Sequence, residues 1–242
     1  MPFDDEMTRT VNDAKRRAAV ASTNLVKSGQ IVGIGSGSTV VYMIQELGRR
    51  VQEEQLQILG VPTSNQTADL ATRYRIPLTT LDRHQKVDLT IDGADQVDTQ
   101  LNLIKGMGGA LIREKIVAKA SKILVIIVDD CKMTSHLGRK QVVPVEVIPF
   151  ATTIVANELS RLGGKPSIRL TKGDHGRFLT DGGNNILDVD FGIIKDPKAL
   201  ETSIKLISGV VDSGLFVDMA KIVFVGTPDG VRKIEKEEKQ DE

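Results

Sequence analysis

Short apolar runs alternate with amphipathic stretches along the first half of the chain, and this alternation predicts a β-α-β-α-β order. Buried strands are predicted at residues 30–34, 56–61 and 87–91, and helices at residues 10–27, 40–51 and 64–74. Strands joined by helices of this length form parallel sheets with right-handed crossovers. We therefore expect an open, Rossmann-like parallel sheet, which a further apolar run at residues 122–128 extends.

The pattern changes at about residue 141, where short strands begin to alternate with isolated helices. Strands are predicted at residues 142–147, 167–170 and 184–188, with one helix at residues 150–162 and another after Pro197. This order is typical of a compact ferredoxin-like α+β domain.

A last apolar run at residues 223–226 predicts a strand that returns to the parallel sheet. The residues at 232–242 are almost wholly charged and are predicted to be a frayed helix end or disordered. The predicted fold class is therefore α/β. A Rossmann-like domain spans residues 1–140 plus 218–242, and a smaller ferredoxin-like α+β domain, residues 141–217, is inserted before the last strand.

Candidate catalytic groups are concentrated at residues 91–115, which read IDGADQVDTQLNLIKGMGGALIREK. Asp92 follows an apolar strand, and ligands of open α/β sheets bind at the carboxyl ends of strands. Asp95 comes three residues later, and Lys105 begins a glycine loop whose amides can approach an anion closely. Glu114 falls one turn into the helix that follows. These groups are suited to proton transfer on a small anionic substrate.

A second glycine loop follows the first predicted strand and contains Ser36, Gly37, Ser38 and Thr39. A strand, a glycine turn and a helix in this order aim backbone N–H groups and a helix dipole at an anion. Ser38 takes the place of the third glycine of a dinucleotide fingerprint, and no G-K-[ST] follows for a P-loop. Anion binding and a tight turn with Ser38 as the helix N-cap remain as alternatives.

The composition argues against several classes of function. The 242 residues include 32 basic and 32 acidic side chains, so the basic footprint of a nucleic-acid-binding protein is absent. No apolar run approaches the ~20 residues of a membrane span, and the acidic N-terminus has no apolar signal region. The single cysteine, Cys131, fits a reducing compartment and is interpreted as a small buried residue. We expect a soluble cytoplasmic protein with no nucleic-acid or membrane partner.

The sequence contains no metal-binding pattern. The three histidines, His84, His136 and His175, are too dispersed to form a site with one another or with the cysteine. Asp92 and Asp95 could be imagined as magnesium ligands together with Asp129 and Asp130. Lys105 and Lys132 argue against this, because they already supply positive charge in the same neighbourhood. We therefore expect neither a metal ion nor an organic cofactor.

Several motifs, spread over almost the whole chain, resemble those of a known family. They are DGAD and KG-x-GG-x-L-x-REK in the central stretch, the loop at 33–39, Lys132, PVEVIPFA at 144–151, TDGGNNILD at 180–188 and GTPDGV at 226–231. Together they resemble ribose-5-phosphate isomerase of the type A family. The resemblance implies an enzyme of the pentose phosphate pathway that interconverts D-ribose 5-phosphate and D-ribulose 5-phosphate through an enediolate, without a cofactor, and that forms a homodimer.

The chemistry of an aldose–ketose isomerase assigns roles to these residues. It needs a carboxylate base, which Glu114 suits, and fixed donors on the oxygen that gains charge, which Lys105 and the neighbouring amides suit. Either Asp92 or Asp95 is suited to carry protons as the furanose ring opens. By resemblance, Glu114 is the proton acceptor, and the substrate is lined by Ser36, Gly37, Ser38, Thr39, Asp92, Gly93, Ala94, Asp95, Lys105, Gly106, Met107, Gly108 and Lys132.

Two further residues, Met107 and Lys15, are compared with the family pattern. Met107 stands where many members have glycine, and we expect it to be tolerated if its amide, rather than its side chain, faces the ligand. Lys15 alone would be interpreted as a solvated lysine, although the resemblance implies a lysine near this position close to the site.

Other interpretations remain open at the level of sequence. Glu114 taken alone would be a solvated helix glutamate between Arg113 and Lys115. A non-catalytic sugar-phosphate sensor can share this sheet and glycine loop, but a helix-turn-helix module needs more chain than the ~30 residues before the first strand. A deaminase or acyl-CoA transferase of similar fold would need its own catalytic set, which we cannot place.

Overall fold

A computed structural model describes residues 2–171, 173 and 176–236; His175 and residues 237–242 lie outside the described part. The helices are α1 (Pro2–Thr23), α2 (Ser38–Glu53), α3 (Asn65–Arg73), α4 (Leu111–Ala120), α5 (Thr152–Arg161) and α6 (Pro197–Lys205). The strands are β1 (Ile31–Ile34), β2 (Leu59–Pro62), β3 (Val87–Asp92), β4 (Gln96–Val97), β5 (Leu103–Ile104), β6 (Ser121–Asp129), β7 (Val143–Val147), β8 (Lys165–Ile168), β9 (Asn185–Asp190), β10 (Val210–Ser213), β11 (Leu215–Phe216), β12 (Ala220–Thr227) and β13 (Gly230–Glu235). Among the described helices, none combines the length and the apolar character that crossing a membrane requires.

The chain folds into two compact units. The first unit consists of Met1–Gly93, Ile116–Lys132 and Met219–Glu242, and the second consists of Ala94–Lys115 and Met133–Asp218. The domain boundaries expected from the sequence, residues 1–140 plus 218–242 and residues 141–217, stay a prediction.

The first unit is built on a six-stranded sheet in the order β13-β12-β6-β3-β1-β2. The strands from β12 to β2 are parallel to their neighbours, and β13 runs antiparallel to β12. The chain passes from β1 to β2 on one side and then returns to β3 on the other side of β1. The direction of strand order therefore reverses between β1 and β3, and the predicted Rossmann-like parallel sheet is confirmed.

Helical spacing explains how α2 covers this sheet. Val40, Ile44 and Leu47 recur on one face of α2 and are buried together with Ile34 of β1 and Ile91 of β3. Burial of a side chain of this size contributes about 1.5–3 kcal/mol to folding. Packing of this kind fixes the start of α2 above the carboxyl end of β1.

The second unit contains a four-stranded antiparallel sheet in the order β10-β7-β9-β8. The chain order is β7-α5-β8-β9-α6-β10, which is the ferredoxin-like arrangement and confirms the predicted α+β type. Val145, Val155, Leu187 and Ile204 are among the buried residues of its core. A small three-stranded sheet, β11-β5-β4, belongs to the same unit and was not predicted.

The charged residues near the C-terminus differ from the prediction. Residues 230–235 form β13 instead of a frayed helix end or disordered tail, with Arg232 opposite Val225 of β12. An edge strand is bonded on one side only, so Arg232, Lys233 and Glu235 reach solvent while Ile234 is half-buried. Charge on an edge strand is therefore compatible with strand formation.

Candidate active site

The predicted site residues are divided between the two units. Those in the first unit are Ser36, Gly37, Ser38, Thr39, Asp92, Gly93 and Lys132; those in the second are Ala94, Asp95, Lys105, Gly106, Met107, Gly108 and Glu114.

In the first unit, the carboxyl ends of β1 and β3 lie side by side where the strand order reverses. β1 ends at Ile34 and leads into the glycine loop, and β3 ends at Asp92. Ligands of open α/β sheets bind in the crevice outside the carboxyl ends of the strands at such a reversal. The predicted position of Asp92 at the carboxyl end of a strand is confirmed.

Asp92 holds the glycine loop against β3. Its side chain is buried, and its Oδ1 accepts hydrogen bonds from the backbone N–H groups of Ser36 at 3.0 Å and Gly93 at 2.7 Å. Gly35 leaves the necessary space, because a Cβ there would lie 2.1 Å from the same oxygen. Two backbone N–H groups that donate to one buried oxygen order the loop beside β3.

The glycine loop ends at the N-terminus of α2. Gly37 is the N-cap with a φ of 119°, which a glycine adopts at little cost, and α2 begins at Ser38. The alternative with Ser38 as N-cap is therefore wrong. Ser38 instead accepts a hydrogen bond from Lys15 Nζ at 3.2 Å. A lysine ammonium and a helix N-terminus both favour a bound anion.

The hydroxyl of Ser36 is engaged within the protein. Its Oγ lies 2.8 Å from the hydroxyls of both Thr63 and Ser64 and 3.0 Å from that of Thr67. Ser64 is the N-cap of α3 and accepts the backbone N–H of Thr67. Ser36 therefore ties the loop to the start of α3.

Lys132 lies past the carboxyl end of β6, as predicted, at the end of a short 3-10 turn. Cys131 in the same turn is exposed, so its interpretation as a buried residue is wrong: the buried strand ends at Asp129 and the chain then turns towards solvent. The pKa of the thiol is raised by partial desolvation and by the carboxylates of Asp129 and Asp130. A raised pKa keeps the thiol protonated and argues against a nucleophilic role.

One group of potential metal ligands occurs in the described part of the chain. Asp129, Asp130 and Cys131 offer donor atoms within 4.8 Å of one another, and Asp92 is not in the group. A thiol is a poor partner for magnesium, which prefers oxygen ligands. The group thus contains two of the four aspartates imagined as magnesium ligands, Asp129 and Asp130, and the expectation that no metal is needed stays a prediction.

In the second unit, Lys105 and Glu114 form a buried ion pair. Lys105 Nζ lies 3.2 Å from Glu114 Oε1, and the two side chains are 3% and 5% exposed. The backbone N–H of Lys105 donates to the carbonyl oxygen of Gly214 at 2.8 Å, which fixes the main chain that carries the ammonium. Glu114 lies in the first turn of α4, as predicted, and its reading as a solvated surface glutamate is wrong.

The ring of Phe216 contacts two buried lysines. Its centroid lies 5.5 Å from Lys105 Nζ and 5.0 Å from Lys115 Nζ. Lys115 forms ion pairs of 2.8 Å with both Glu201 and Asp212. Desolvation raises the pKa of the Asp212 carboxyl, but the charge of Lys115 together with hydrogen bonds from Lys115, Lys205 and the backbone of Ser213 outweighs it, so the pKa is lowered. The charge of Lys115 is thus balanced by its own acidic partners. No motif in the sequence pointed to Phe216.

The glycine loop after Lys105 is a tight turn. The N–H of Gly109 donates to the carbonyl oxygen of Gly106 at 3.0 Å, and the φ angles of these residues are 82° and 102°. The N–H of Met107 donates to Asp95 Oδ2 at 3.0 Å, so this amide is engaged within the protein. A Cβ on Gly108 would meet nothing within 4 Å. The loop therefore has open space above Gly108.

Hydrogen bonds hold both the backbone and the side chain of Asp95. Its N–H donates to the carbonyl oxygen of Ile104 at 2.8 Å, beside the short β4–β5 pair. Ala94 precedes it and is half-buried. Within the second unit, Asp95 thus contacts the amide of Met107, and Lys105 pairs with Glu114.

Comparison with known proteins identifies the family. Residues 59–230 match the family model described as Ribose 5-phosphate isomerase A (phosphoriboisomerase A). Ribose-5-phosphate isomerase A of Methanosarcina acetivorans is 48% identical over 227 residues, covering 94% of this chain and 96% of the relative. The enzyme of the same name from Thermomicrobium roseum is 48% identical over 224 residues, covering 92% and 94%.

Solved structures agree with the sequence relatives. Ribose 5-phosphate isomerase A from Methanocaldococcus jannaschii matches with a TM-score of 0.89 at 44% identity, over 93% of this chain and 99% of the other. A D-ribose-5-phosphate isomerase in complex with phospho-erythronic acid matches with a TM-score of 0.91 at 40% identity and the same coverage. The comparisons give no support to the sensor alternative. The chain belongs to the ribose 5-phosphate isomerase A family.

Proposed function

We propose that the protein interconverts D-ribose 5-phosphate and D-ribulose 5-phosphate through an enediolate, with Glu114 as the base and Lys105 as the group that stabilises the developing charge. Membership of the family and the names of the matching enzymes support the reaction. The observation that carries the residue roles is the buried ion pair, with 3.2 Å between Lys105 Nζ and Glu114 Oε1.

A buried carboxylate beside an ammonium has the properties that this reaction needs. Abstraction of a carbon-bound proton is slow unless the base is fixed and shielded from water, and Glu114 is 4% exposed. The oxyanion that forms needs a donor that is already in place, and Lys105 is 2% exposed.

The proposed reaction proceeds in two stages, the formation of the enediolate and its collapse to the ketose. Glu114 takes the proton from C2 of the open-chain aldose, the C–H electron pair becomes the C1–C2 double bond, and the carbonyl electrons move to O1. Lys105 stabilises this negative charge. Glu114 then returns the proton to C1, and the proton of the C2 hydroxyl passes to O1, which leaves the ketone at C2. Asp92 and Asp95 both remain candidates for proton transfer as the sugar ring opens.

A bound ligand in one relative supports a charge-stabilising site. Phospho-erythronic acid is a phosphorylated sugar acid. Its planar carboxylate carries negative charge on two oxygens, as an enediolate does. We propose that this chain also binds phospho-erythronic acid, which makes the compound a suitable probe for variants that no longer turn over substrate.

We further propose that the glycine loop of the first unit binds the substrate phosphate. Ser38 and Thr39 lie in the first turn of α2, and Lys15 contacts Ser38. A helix N-terminus with a nearby ammonium attracts a dianion such as phosphate. The substrate-binding roles of Gly93, Ala94 and Lys132 stay proposals of the same kind.

Replacement of Thr39 by alanine tests this phosphate site. Loss of one charge-assisted hydrogen bond should weaken binding of ribose 5-phosphate by about 1.5–3 kcal/mol, with a smaller effect on kcat. The measurement compares ketose formation from ribose 5-phosphate with that from free ribose, which should hardly change.

The matched control is Thr72→Ala, which removes a hydroxyl that donates to the carbonyl oxygen of Ala68 at 2.9 Å, within α3. Equal losses on ribose 5-phosphate and on free ribose would show that Thr39 has a structural role instead.

The assembly and the location of the protein are proposals as well. We propose a homodimer from the resemblance to the family, and the exposed side chains of Phe150 and Ile154, 98% and 62% accessible, provide apolar surface for a contact. We propose a cytoplasmic location, because a single cysteine fits a reducing compartment.

A further inference from the structure

We propose that Arg169 is a positioning residue that aims the backbone N–H of Gly108 at the oxygen that gains charge during isomerisation. The inference rests on the proposed function, because it assumes that the loop after Lys105 faces the reacting carbons. Arg169 lies 64 residues beyond Lys105 in the chain, just after β8, and no motif in the sequence pointed to it.

The guanidinium of Arg169 clamps the glycine loop that follows Lys105. Its Nη1 donates to the carbonyl oxygens of Gly106 at 2.8 Å and Met107 at 3.1 Å. Its Nε donates to Asp188 Oδ2 at 2.9 Å, and its Nη2 pairs with the other oxygen of the same carboxylate. The side chains of Arg169 and Asp188 are 10% and 18% exposed. A fork–fork ion pair thus holds the guanidinium while its remaining N–H groups hold two consecutive loop carbonyls.

An aromatic ring supports the clamp from the side. The guanidinium carbon of Arg169 lies 5.8 Å from the ring centroid of Phe178. The same ring packs on the end of the loop, since a Cβ on Gly109 would lie 2.5 Å from it. Arg169 and the loop are therefore packed against one common surface.

The clamp determines where the loop amides point. In a trans peptide the N–H is directed opposite to the C=O of the same unit, and the described chain contains no cis peptide bonds. The carbonyl of Gly106 faces Arg169, and the N–H of the same unit, on Met107, is on the far side and donates to Asp95. The first peptide unit of the loop is thus held at both ends.

The next peptide unit is held at one end only. The carbonyl of Met107 faces Arg169, so the N–H of Gly108 points away from the guanidinium, and no acceptor among the described residues takes it. Gly108 has an ordinary negative φ and open space where a Cβ would be, so the fold itself does not require glycine here. Both observations fit a substrate oxygen that approaches this amide closely. Hydrogen bonding of Arg169 to the carbonyl also polarises the peptide unit and strengthens its N–H as a donor.

The experiment replaces Arg169 by alanine and by lysine. Misplacement of a transition-state donor should lower kcat by about 10- to 100-fold in Arg169→Ala, with KM for ribose 5-phosphate changed by less than about threefold. Arg169→Lys should recover little, because an ammonium cannot bond two carbonyls and a carboxylate as a fork does. Millimolar guanidinium should restore part of the activity of Arg169→Ala, whereas sodium at equal ionic strength should not.

The controls separate this inference from a merely structural role. Arg161→Ala removes a 73% exposed arginine that pairs with Glu158 on α5 of the same unit, and its kcat should be normal. Asp188→Asn keeps Arg169 but loosens its anchor, and it should show a smaller fall in kcat. A normal kcat in folded Arg169→Ala, or a loss that follows the unfolded fraction and does not respond to guanidinium, would overturn the proposal. If Arg169→Ala does not fold, the kcat of Asp188→Asn decides, because a normal value contradicts positioning.

A parallel measurement on Glu114→Gln distinguishes a failure of the role of Arg169 from a failure of the proposed function. An inactive Glu114→Gln with a fully active Arg169→Ala overturns only the role of Arg169. An active Glu114→Gln overturns the proposed function on which that role depends.

Discussion

Replacing Glu114 by glutamine is expected to lower kcat by about 10²- to 10⁴-fold or more while the substrate still binds. Glutamine keeps the shape of the side chain but cannot accept a proton from carbon. Steady-state turnover of ribose 5-phosphate measures the loss, and calorimetric titration with phospho-erythronic acid measures the binding. The effect should fall on kcat and kcat/KM alike, because the group acts in the transition state.

The control for this change is Glu158→Gln. Glu158 lies on α5 of the same unit, is 40% exposed and pairs only with Arg161 among the described residues. Its conversion to glutamine should leave turnover unchanged. Near-normal turnover in Glu114→Gln would mean that another group is the base.

Replacing Lys105 by methionine is expected to lower kcat by about 10²- to 10³-fold, since the oxyanion loses a fixed donor. The same change should also lower the free energy of unfolding by about 3–5 kcal/mol, because it leaves the carboxylate of Glu114 buried without its counter-charge. Turnover and denaturant unfolding monitored by circular dichroism measure the two effects separately.

The double variant Lys105→Met/Glu114→Gln tests whether the stability loss has this cause. Removing the second charge should recover much of the free energy of unfolding, while activity stays at the level of the worse single variant. If the double variant is as unstable as the sum of two independent losses, the ion pair is not the origin of the effect.

Much of the fold could be predicted because its main strands are apolar and long enough to show a period. The runs that became β1, β3 and β6 were identified within a few residues, and with them the carboxyl-end position of Asp92. β4, β5 and β11 have two residues each, which is too short for any periodicity. β13 was missed because an edge strand carries charges towards solvent and has no buried face to reveal it.

The candidate site was predictable only where its residues are near one another in sequence. The contact between Lys105 and Glu114 spans one loop and one helical turn, and the motif that contains both was visible. Arg169 and Phe216 reach the same region from distant strands, and no local pattern encodes such contacts. The hydrogen bond from the amide of Met107 to Asp95, twelve residues earlier, could not be predicted either, because it depends on how the loop turns.

In the proposed mechanism a proton leaves carbon, resides on Glu114 and returns to the neighbouring carbon. Isomerisation of ribose 5-phosphate in heavy water, followed by mass spectrometry and NMR of the ribulose 5-phosphate formed, tests it most directly. This mechanism predicts solvent deuterium at C1 of the product, because the proton on the carboxyl can exchange during the lifetime of the enediolate. Complete retention of the original hydrogen, with no deuterium at C1, would indicate direct hydride transfer between the carbons and would contradict the assignment of Glu114.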